Sequence, residues 1–193
     1  MPPAFREWPS IARLSRDMVV TEKIDGTNAS IYTSHDLSEI VAGSRNRWLT
    51  LETDNFGFAR WVHENQEALK ALGPGHHFGE WWGAGIQRRY GLAEKRFSLF
   101  NTHRWVSEYN IGNMEAEWPT RCVEVPVCHV VPVLLCWTFD TARVDAMLAT
   151  LAEYGSRAAP GFMQPEVVVV FHTKSNTMFK KTLDKNDGHK GAA

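Results

Sequence analysis

The chain has 193 residues, of which 44% are hydrophobic and 22% charged, and its formal net charge is −1. This composition predicts one folded domain over residues 1–193 and excludes an intrinsically disordered chain. Without a global basic excess, any site for a polyanion has to be a local patch. The sequence has no bilayer-length apolar run and no apolar signal segment, so we expect no membrane partner. Three cysteines without metal-type spacing favour a reducing cytoplasm.

Strand-like runs, rich in β-branched and aromatic residues, are the commonest predicted elements. They cover residues 18–23, 29–33, 39–43, 77–82, 97–102, 128–137, 167–172 and 177–182. Strands outnumber helices and do not alternate with them regularly. We therefore expect an α+β fold with antiparallel sheets rather than a doubly wound parallel one.

Apolar spacing predicts two helices, over residues 55–72 and 140–154. The second has a cap at Asp140 or Thr141 and an end at Gly155. Its apolar stripe consists of Val144, Met147, Leu148 and Leu151. The polar stretch 108–126 predicts a mobile surface loop, and the charged tail 184–193 predicts a fraying end.

Residues 22–28 read Glu-Lys-Ile-Asp-Gly-Thr-Asn and carry the first chemical signal. Lys23 follows a strand-like run and precedes Asp25 and Gly26. A lysine amine is a nucleophile once its proton is removed, and burial or neighbouring positive charge favours that removal. An Asp-Gly pair between two strands is also a common hairpin turn, which would leave Lys23 as a solvated surface residue. The local pattern alone leaves both interpretations open.

Two further clusters suit contacts with a nucleotide. Arg45 and Arg47 lie on the same side of a predicted extended segment, where they suit phosphate recognition or simple exposure to solvent. Glu80 ends a strand beside glycines that permit close approach of a ligand, and its carboxylate could accept hydrogen bonds from a ribose. The alternative is a glycine-rich turn with Glu80 in solvent.

An aromatic strand and an acidic strand complete the set of candidate residues. Alternation places Phe100 on the more polar face of its strand, where a ring can stack on a purine or pack in the core. Glu166 heads an apolar strand and could bind Mg²⁺, which prefers oxygen ligands. Lys180 or Lys181 points inward from the next strand, as a salt-bridge partner of Glu166 or as a phosphate ligand.

In this order, the motifs resemble those of the covalent nucleotidyltransferase superfamily of polynucleotide ligases and RNA capping enzymes. The forms at residues 22–28, 78–87 and 100–105 look most like the ATP-dependent RNA ligase family. Within that family they resemble the branch typified by the second RNA ligase of T-even phages and the RNA-editing ligases. The resemblance covers about residues 19–183, and its specificity comes from five weak motifs in the right order. It implies the antiparallel, ATP-grasp-like nucleotidyltransferase fold.

The resemblance implies a role for each matching residue. Lys23 would attack the α-phosphorus of ATP to form lysyl-AMP, and Asp25 would orient the lysine. Arg45 would contact the nucleotide or the RNA end, and Lys180 the α-phosphate. The other implied nucleotide contacts are Glu22, Ile24, Asn28, Glu80 on the ribose, Phe100 on adenine, and Lys181. Glu166 would bind Mg²⁺.

The implied activity is ATP-dependent sealing of 5′-phosphate and 3′-hydroxyl RNA ends, in nicked duplexes or at free ends, by a cytoplasmic monomer. For a phage gene this would be the host cytoplasm. The alternatives are a small DNA ligase or guanylyltransferase, which share Lys-x-Asp-Gly, and a non-catalytic nucleotide- or RNA-binding module. Competition between ATP and GTP, and between RNA and DNA substrates, distinguishes the enzymes.

The chain departs from the family pattern in three ways. The family usually has glycine where this chain has Val167, and a branched side chain there would narrow the nucleotide pocket or shift the strand. The two lysines of the last motif are adjacent here, whereas relatives often separate them by one residue. We expect no separate C-terminal RNA-binding domain, so a partner protein or this domain would hold the RNA. The candidate surface arginines are Arg45, Arg47, Arg88, Arg89 and Arg104.

Overall fold

The computed structural model describes residues 3–106, 122 and 124–182 of the chain. The strands are β1 (Asp17–Lys23), β2 (Thr27–Thr33), β3 (Ile40–Ser44), β4 (Gly75–Gly83), β5 (Lys95–Leu99), β6 (His129–Val130), β7 (Val133–Thr138), β8 (Val167–His172) and β9 (Thr177–Thr182). The helices are α1 (Phe58–Glu64), α2 (Gln66–Leu69), α3 (Thr102–Trp105) and α4 (Thr141–Tyr154), with a 3₁₀ turn at Lys70–Leu72. The predicted loop over most of 108–126 and the predicted tail at 184–193 lie outside the described residues.

The strands form two sheets, which confirms the predicted α+β fold with antiparallel pairing. One sheet has four strands in the order β7-β1-β8-β9, and the other has five in the order β3-β2-β4-β5-β6. All described neighbours are antiparallel except β5 and β6, which run parallel. Within the described residues, no helix is long and apolar enough to cross a membrane.

Helix α4 forms as its sequence predicts. The Asp140 side chain accepts a hydrogen bond from the Ala142 amide at 2.9 Å, and Gly155 ends the helix with a positive φ of 81°. Its buried residues Val144, Leu148 and Leu151 pack on the apolar face of the four-stranded sheet. Burial of this stripe stabilises the helix more than its intrinsic propensity does.

The predicted helix over 55–72 is shorter and interrupted. Its first part ends at Glu64, and Asn65 leaves helical geometry with φ of −114°. The Asn65 side-chain amide donates to the Trp61 carbonyl at 2.7 Å, and such local bonds from asparagine compete with helix continuation. A separate short helix and the 3₁₀ turn follow before β4.

Two predicted strands also differ from the structure. The run 97–102 stops at Leu99, because Asn101 caps helix α3 by accepting a hydrogen bond from the Arg104 amide. The run 128–137 divides at Pro132, since proline cannot donate a ladder hydrogen bond. As a result, β6 pairs with β5 in one sheet and β7 pairs with β1 in the other.

Among the residues that the structure describes, three clusters of buried apolar side chains stabilise the two sheets. The largest lies between the five-stranded sheet and helices α1 and α2, and it includes Phe58, Trp81 and Phe97. The second lies between the four-stranded sheet and α4. The third joins the two sheets through Ile24, Trp82, Tyr90, Val131, Ala158 and Ala159. This third cluster therefore joins the two sheets at Ile24, in the short segment between β1 and β2.

Candidate active site

Lys23 is the last residue of β1, and its side chain lies on the opposite face of the sheet from that of its neighbour Glu22. Met18, Val20 and Glu22 lie on the face covered by α4, and Lys23 lies on the opposite face. The Lys23 Nζ pairs with the Glu166 carboxylate just before β8, and both side chains stay about one-third exposed, at 34% and 28%. The predicted strand thus ends in an accessible amine that is held by a carboxylate.

The hairpin interpretation of Asp25-Gly26 is wrong. Strand β1 pairs with β7 and β8, whereas β2 pairs with β3 and β4, so the Asp-Gly pair crosses between the two sheets. A Cβ at Gly26 would lie 2.4 Å from the Trp81 carbonyl oxygen and 2.7 Å from the Trp82 Cβ. Only glycine fits this close crossing.

Asp25 is fixed from two sides of the crossing. Its backbone amide donates to the Tyr90 hydroxyl at 2.8 Å, and its carboxylate pairs with Arg88 at 3.0 Å. Arg88 also donates to the Gln164 carbonyl at 2.9 Å, which links the crossing to the segment that leads into Glu166. Tyr90 and Gln164 are site residues that the motifs did not indicate, since an irregular loop contact has no periodic signal.

Glu80 lies beside the crossing and receives two hydrogen bonds. The Gly26 amide donates to one carboxylate oxygen at 3.0 Å, and the Asn28 side-chain amide donates to the other at 3.2 Å. Asn28 in turn accepts a hydrogen bond from Arg45 at 2.8 Å. This places three of the predicted nucleotide contacts in one connected network.

Burial raises the pKa of Glu80 from its ordinary 4.5 to about 7, although the Gly26 amide and the charge of Lys23 oppose the shift. The negative charges of Asp25 and Glu166 raise it further. Near neutral pH the carboxyl group is therefore present in both protonation states. It can donate or accept a hydrogen bond with a ligand hydroxyl.

Phe100 lies at a groove beside this network. Its ring is 40% exposed, and the groove is lined by Asn28, Ala29, Ser30, Ser44, Arg45, Phe78 and Phe100. The neighbouring strand residues Phe97 and Leu99 are buried in the core, so the structure excludes the alternative that Phe100 is a core residue. A half-exposed ring beside a polar network is suited to stacking on a base.

The two adjacent lysines of β9 point to opposite faces of the four-stranded sheet. Val169 pairs with both Thr21 and Lys180, and directly paired residues share a face, so Lys180 lies on the Lys23 face. Lys181 lies on the other face and pairs with Asp145 of α4 at 2.5 Å. The structure thus separates Lys181 from the candidate site.

The predicted pairing of Glu166 with a lysine of β9 is wrong, and so is the alternative that Val167 shifts its strand. Glu166 pairs with Lys23, 143 residues away, and not with either lysine of β9. Val167 is buried and pairs with Lys23 in an unbroken β1–β8 register, so the branched residue does not shift the strand. Its side chain lies on the Lys23 face, where a family glycine would leave more space.

Glu22 and Ile24 have buried side chains with other partners. The Glu22 carboxylate accepts hydrogen bonds from the Ser156 hydroxyl at 2.5 Å and from the Arg157 and Ala158 amides at 2.7 and 3.0 Å. Ile24 packs in the cluster that joins the sheets. Only their backbone atoms therefore remain for the predicted contact with a nucleotide.

The candidate surface arginines differ in the contacts that they make with the rest of the protein. Ser44 and Arg47 close a tight turn through a 2.8 Å backbone bond, and Arg47 donates to the Thr53 carbonyl. The predicted extended segment with Arg45 and Arg47 on one side is therefore absent. Arg104 donates to the Leu72 carbonyl and lies over the Trp105 ring, and Arg89 is exposed.

A divalent cation is the remaining predicted component. Within residues 3–106, 122 and 124–182, no group of three or more His, Cys, Asp and Glu side chains could hold a metal ion. Mg²⁺ is commonly bound through one or two carboxylates, with water and substrate phosphates as the other ligands. The accessible carboxylate of Glu166 beside Lys23 fits a cation of that kind.

Comparison with solved structures supports the fold. One Naegleria gruberi RNA ligase structure without ligand has a TM-score of 0.58 at 19% identity, over 87% of this chain and 50% of that chain. A Naegleria gruberi RNA ligase mutant with ATP and Mn has a TM-score of 0.57 at 19% identity, over 88% of this chain and 50% of that chain. Another, with AMP and Mn, has 0.55 at 17%, again over 88% and 50%. This chain thus spans about half the length of these ligases.

Comparison of the sequence with protein-family models identifies the family of this chain. No curated protein matches the chain significantly. The RNA ligase model matches residues 16–188, which include every motif described above. With this match over most of its length and an antiparallel fold shared with solved RNA ligases, the chain belongs to the RNA ligase family.

Proposed function

We propose that the protein is an ATP-dependent RNA ligase that seals 5′-phosphate and 3′-hydroxyl ends through lysyl-AMP and RNA-adenylate. The observation that carries this proposal is the accessible amine of Lys23, beside Glu166 and on the same sheet face as Lys180. The Naegleria gruberi ligases with ATP, AMP and Mn support the choice of nucleotide and of a divalent cation.

In the first step, the Lys23 nitrogen forms a bond to the α-phosphorus of ATP, the bond to pyrophosphate breaks, and the amine loses a proton. The ion pair with Glu166 holds the amine in place at the end of β1. The ion pair has to open before the attack, because the same nitrogen then bonds to the α-phosphorus. A Mg²⁺ ion held by Glu166 and the phosphates would neutralise charge on the nucleotide.

Neighbouring residues would bind and orient the nucleotide. Phe100 would stack on adenine, and Glu80 would bind a ribose hydroxyl while the Gly26 and Asn28 amides hold its carboxylate in place. Lys180 would stabilise the charge that develops on the α-phosphate. Arg45, bound to Asn28, lies where it can contact a phosphate of the nucleotide or of the RNA.

In the later steps, AMP moves from Lys23 to the RNA 5′-phosphate, which breaks the P–N bond and forms a phosphoanhydride. A 3′-hydroxyl then attacks the RNA phosphate and AMP leaves.

We also propose a cytoplasmic location, which the free cysteines Cys122, Cys128 and Cys136 support, because a reducing compartment keeps thiols unpaired.

Covalent labelling tests the proposal directly. Purified protein with Mg²⁺ and α-labelled ATP should gain the mass of one AMP, and Lys23→Ala should abolish the adduct. The matched control is Lys174→Ala, a surface lysine between β8 and β9, which should label like the wild type. An absence of label from ATP or GTP, after removal of any bound AMP, would contradict the enzyme proposal and favour a non-catalytic binding module.

The substrate needs a separate measurement. Adenylylated protein should join nicked duplex RNA that carries a 5′-phosphate, and should discharge AMP onto it. Equal or faster joining of nicked DNA would assign the protein to DNA rather than RNA ligation.

A further inference from the structure

An exposed row of aromatic side chains extends from the nucleotide groove across the five-stranded sheet. His76 and Phe78 precede Glu80 along β4 at two-residue spacing, so all three lie on one face of the sheet. Tyr32 pairs with His76, and Trp48 lies beside both. We name Tyr32, Trp48, His76 and Phe78 the aromatic track.

The rings of the track form a continuous series. The His76 and Phe78 rings are 6.0 Å apart and 11° from parallel, and the Trp48 and His76 rings are 6.0 Å apart and 26° from parallel. Tyr32 completes the series with its ring 4.9 Å from that of His76. Phe78 also lines the groove that Phe100 lines, so the series leads to the predicted adenine site.

Trp48, His76 and Phe78 are exposed and Tyr32 is half-buried, although large apolar groups are usually buried. Trp48 is 51% and Phe78 59% exposed, and neither belongs to a core cluster. The Trp48 ring lies against Gly43, where a Cβ would come within 3.2 Å of two ring atoms. Glycine at this position therefore allows the indole to lie close to the sheet. Contiguous exposed rings of this kind mark an interaction surface.

The polar surroundings favour a nucleic acid as the occupant. The floor of the groove carries Ser30 and Ser44, and Arg45 and Arg47 follow in the turn between Gly43 and Trp48. Asp36 and Glu39 lie in the turn between β2 and β3, at the end of the track far from the groove. Glu80 lies at the groove end, and Glu52 and Asp54 adjoin Thr53, whose carbonyl accepts a hydrogen bond from Arg47. A row of rings flanked by arginines is the usual surface for single-stranded nucleic acid.

We propose that the aromatic track binds a single-stranded RNA segment by stacking on its bases, next to the nucleotide groove. The choice of RNA as occupant rests on the proposed function. The track would hold the unpaired strand adjoining the end to be joined. Stacking tolerates any base, so the track would supply affinity without sequence preference.

The test compares RNA binding with nucleotide transfer in the same variants. The Trp48→Ala/His76→Ala double variant changes two rings outside the groove, and Trp137→Ala removes a tryptophan with similar exposure, 49%, on the other sheet. The probes are a fluorescent oligoadenylate and an abasic ribose-phosphate oligomer of the same length. We expect the double variant to bind oligoadenylate at least about tenfold more weakly. Its binding of the abasic oligomer and its lysyl-AMP formation should be unchanged.

Each other outcome has a definite meaning. Unchanged oligoadenylate binding by the double variant overturns the proposal, as does an equal loss of affinity for both probes, which would indicate phosphate contacts. Loss of a dimer in the double variant, without loss of RNA affinity, would assign the track to a second copy and also overturn it. Trp48→Phe should retain binding, because it keeps a ring at this position, and unchanged lysyl-AMP formation by the double variant excludes misfolding as the cause.

The two proposals fail separately. If wild type forms no lysyl-AMP but shows the expected binding pattern, the ligase proposal fails and the RNA-binding track stands. If lysyl-AMP forms and the double variant binds RNA normally, only the track is rejected.

Discussion

The two sheets contribute different kinds of groups to the candidate site. The four-stranded sheet and the segment before β8 carry the charged groups Lys23, Glu166 and Lys180. The five-stranded sheet and its adjoining turns carry Glu80, Asn28 and Phe100, which offer hydrogen bonds and a ring. We infer that chemistry and recognition are divided between the sheets. Their relative position then depends on the short crossing at Asp25-Gly26.

The two lysines of β9 test the chemical half of this division and should give the largest effect. Lys180→Ala should slow lysyl-AMP formation by about 100-fold or more, because loss of one transition-state contact has that magnitude. Lys181→Ala is the matched control, since it removes only a partly exposed ion pair with Asp145 and should change the rate little. Single-turnover labelling measures both. Equal losses of rate in the two variants would show that the sheet face on which a lysine lies does not decide its role.

Glu80 tests the recognition half through pH. Its pKa of about 7 lies above the unfolded value near 4.5, so the folded state binds the extra proton between these values. Stability from this group is therefore complete below pH 4.5 and is lost as pH rises through 7.

The Glu80→Gln variant has no carboxyl group to titrate at this position, so it should not lose this stability as the pH rises. The difference in unfolding free energy between wild type and variant should therefore change by about 3 kcal/mol across the interval. Urea denaturation of both proteins at pH values from about 4 to about 8.5, which span both pKa values, measures this difference in unfolding free energy. A constant difference would mean that Glu80 titrates normally.

Phe100 should affect binding more than chemistry. Phe100→Ala should raise the KM for ATP about tenfold, in line with the loss of one base-stacking contact, and leave the maximal rate of adduct formation nearly unchanged. Phe100→Tyr keeps the ring and should behave like wild type. A fall in maximal rate with unchanged KM would place Phe100 in the chemical step and weaken the division between the sheets.

Tyr90 tests the connection between the sheets and should give the smallest effect. Tyr90→Phe removes the acceptor of the Asp25 amide and should lower the unfolding free energy by about 1 kcal/mol. Urea denaturation measures the change, with Tyr154→Phe at the exposed end of α4 as control. A much larger loss of activity than of stability would show that the hydroxyl positions Asp25 for catalysis.

Local patterns predicted the elements whose signals are contained within one segment. The cap and stripe of α4 and most strands were predicted because propensity, periodicity and capping act over a few residues. The break at Asn65 and the change of sheet at Pro132 were missed. Both depend on a single residue whose effect competes with the apolar pattern around it.

The sequence by itself determined the family and the chemical groups, because ordered motifs preserve residue types and short spacings. Tertiary structure decided which of these groups meet. It paired Lys23 with Glu166, placed Lys180 on the Lys23 face and Lys181 on the other, and made Asp25-Gly26 a crossing between sheets. These outcomes depend on strand pairing between residues far apart in the chain, whose free energy comes from the whole sheet and not from any local pattern.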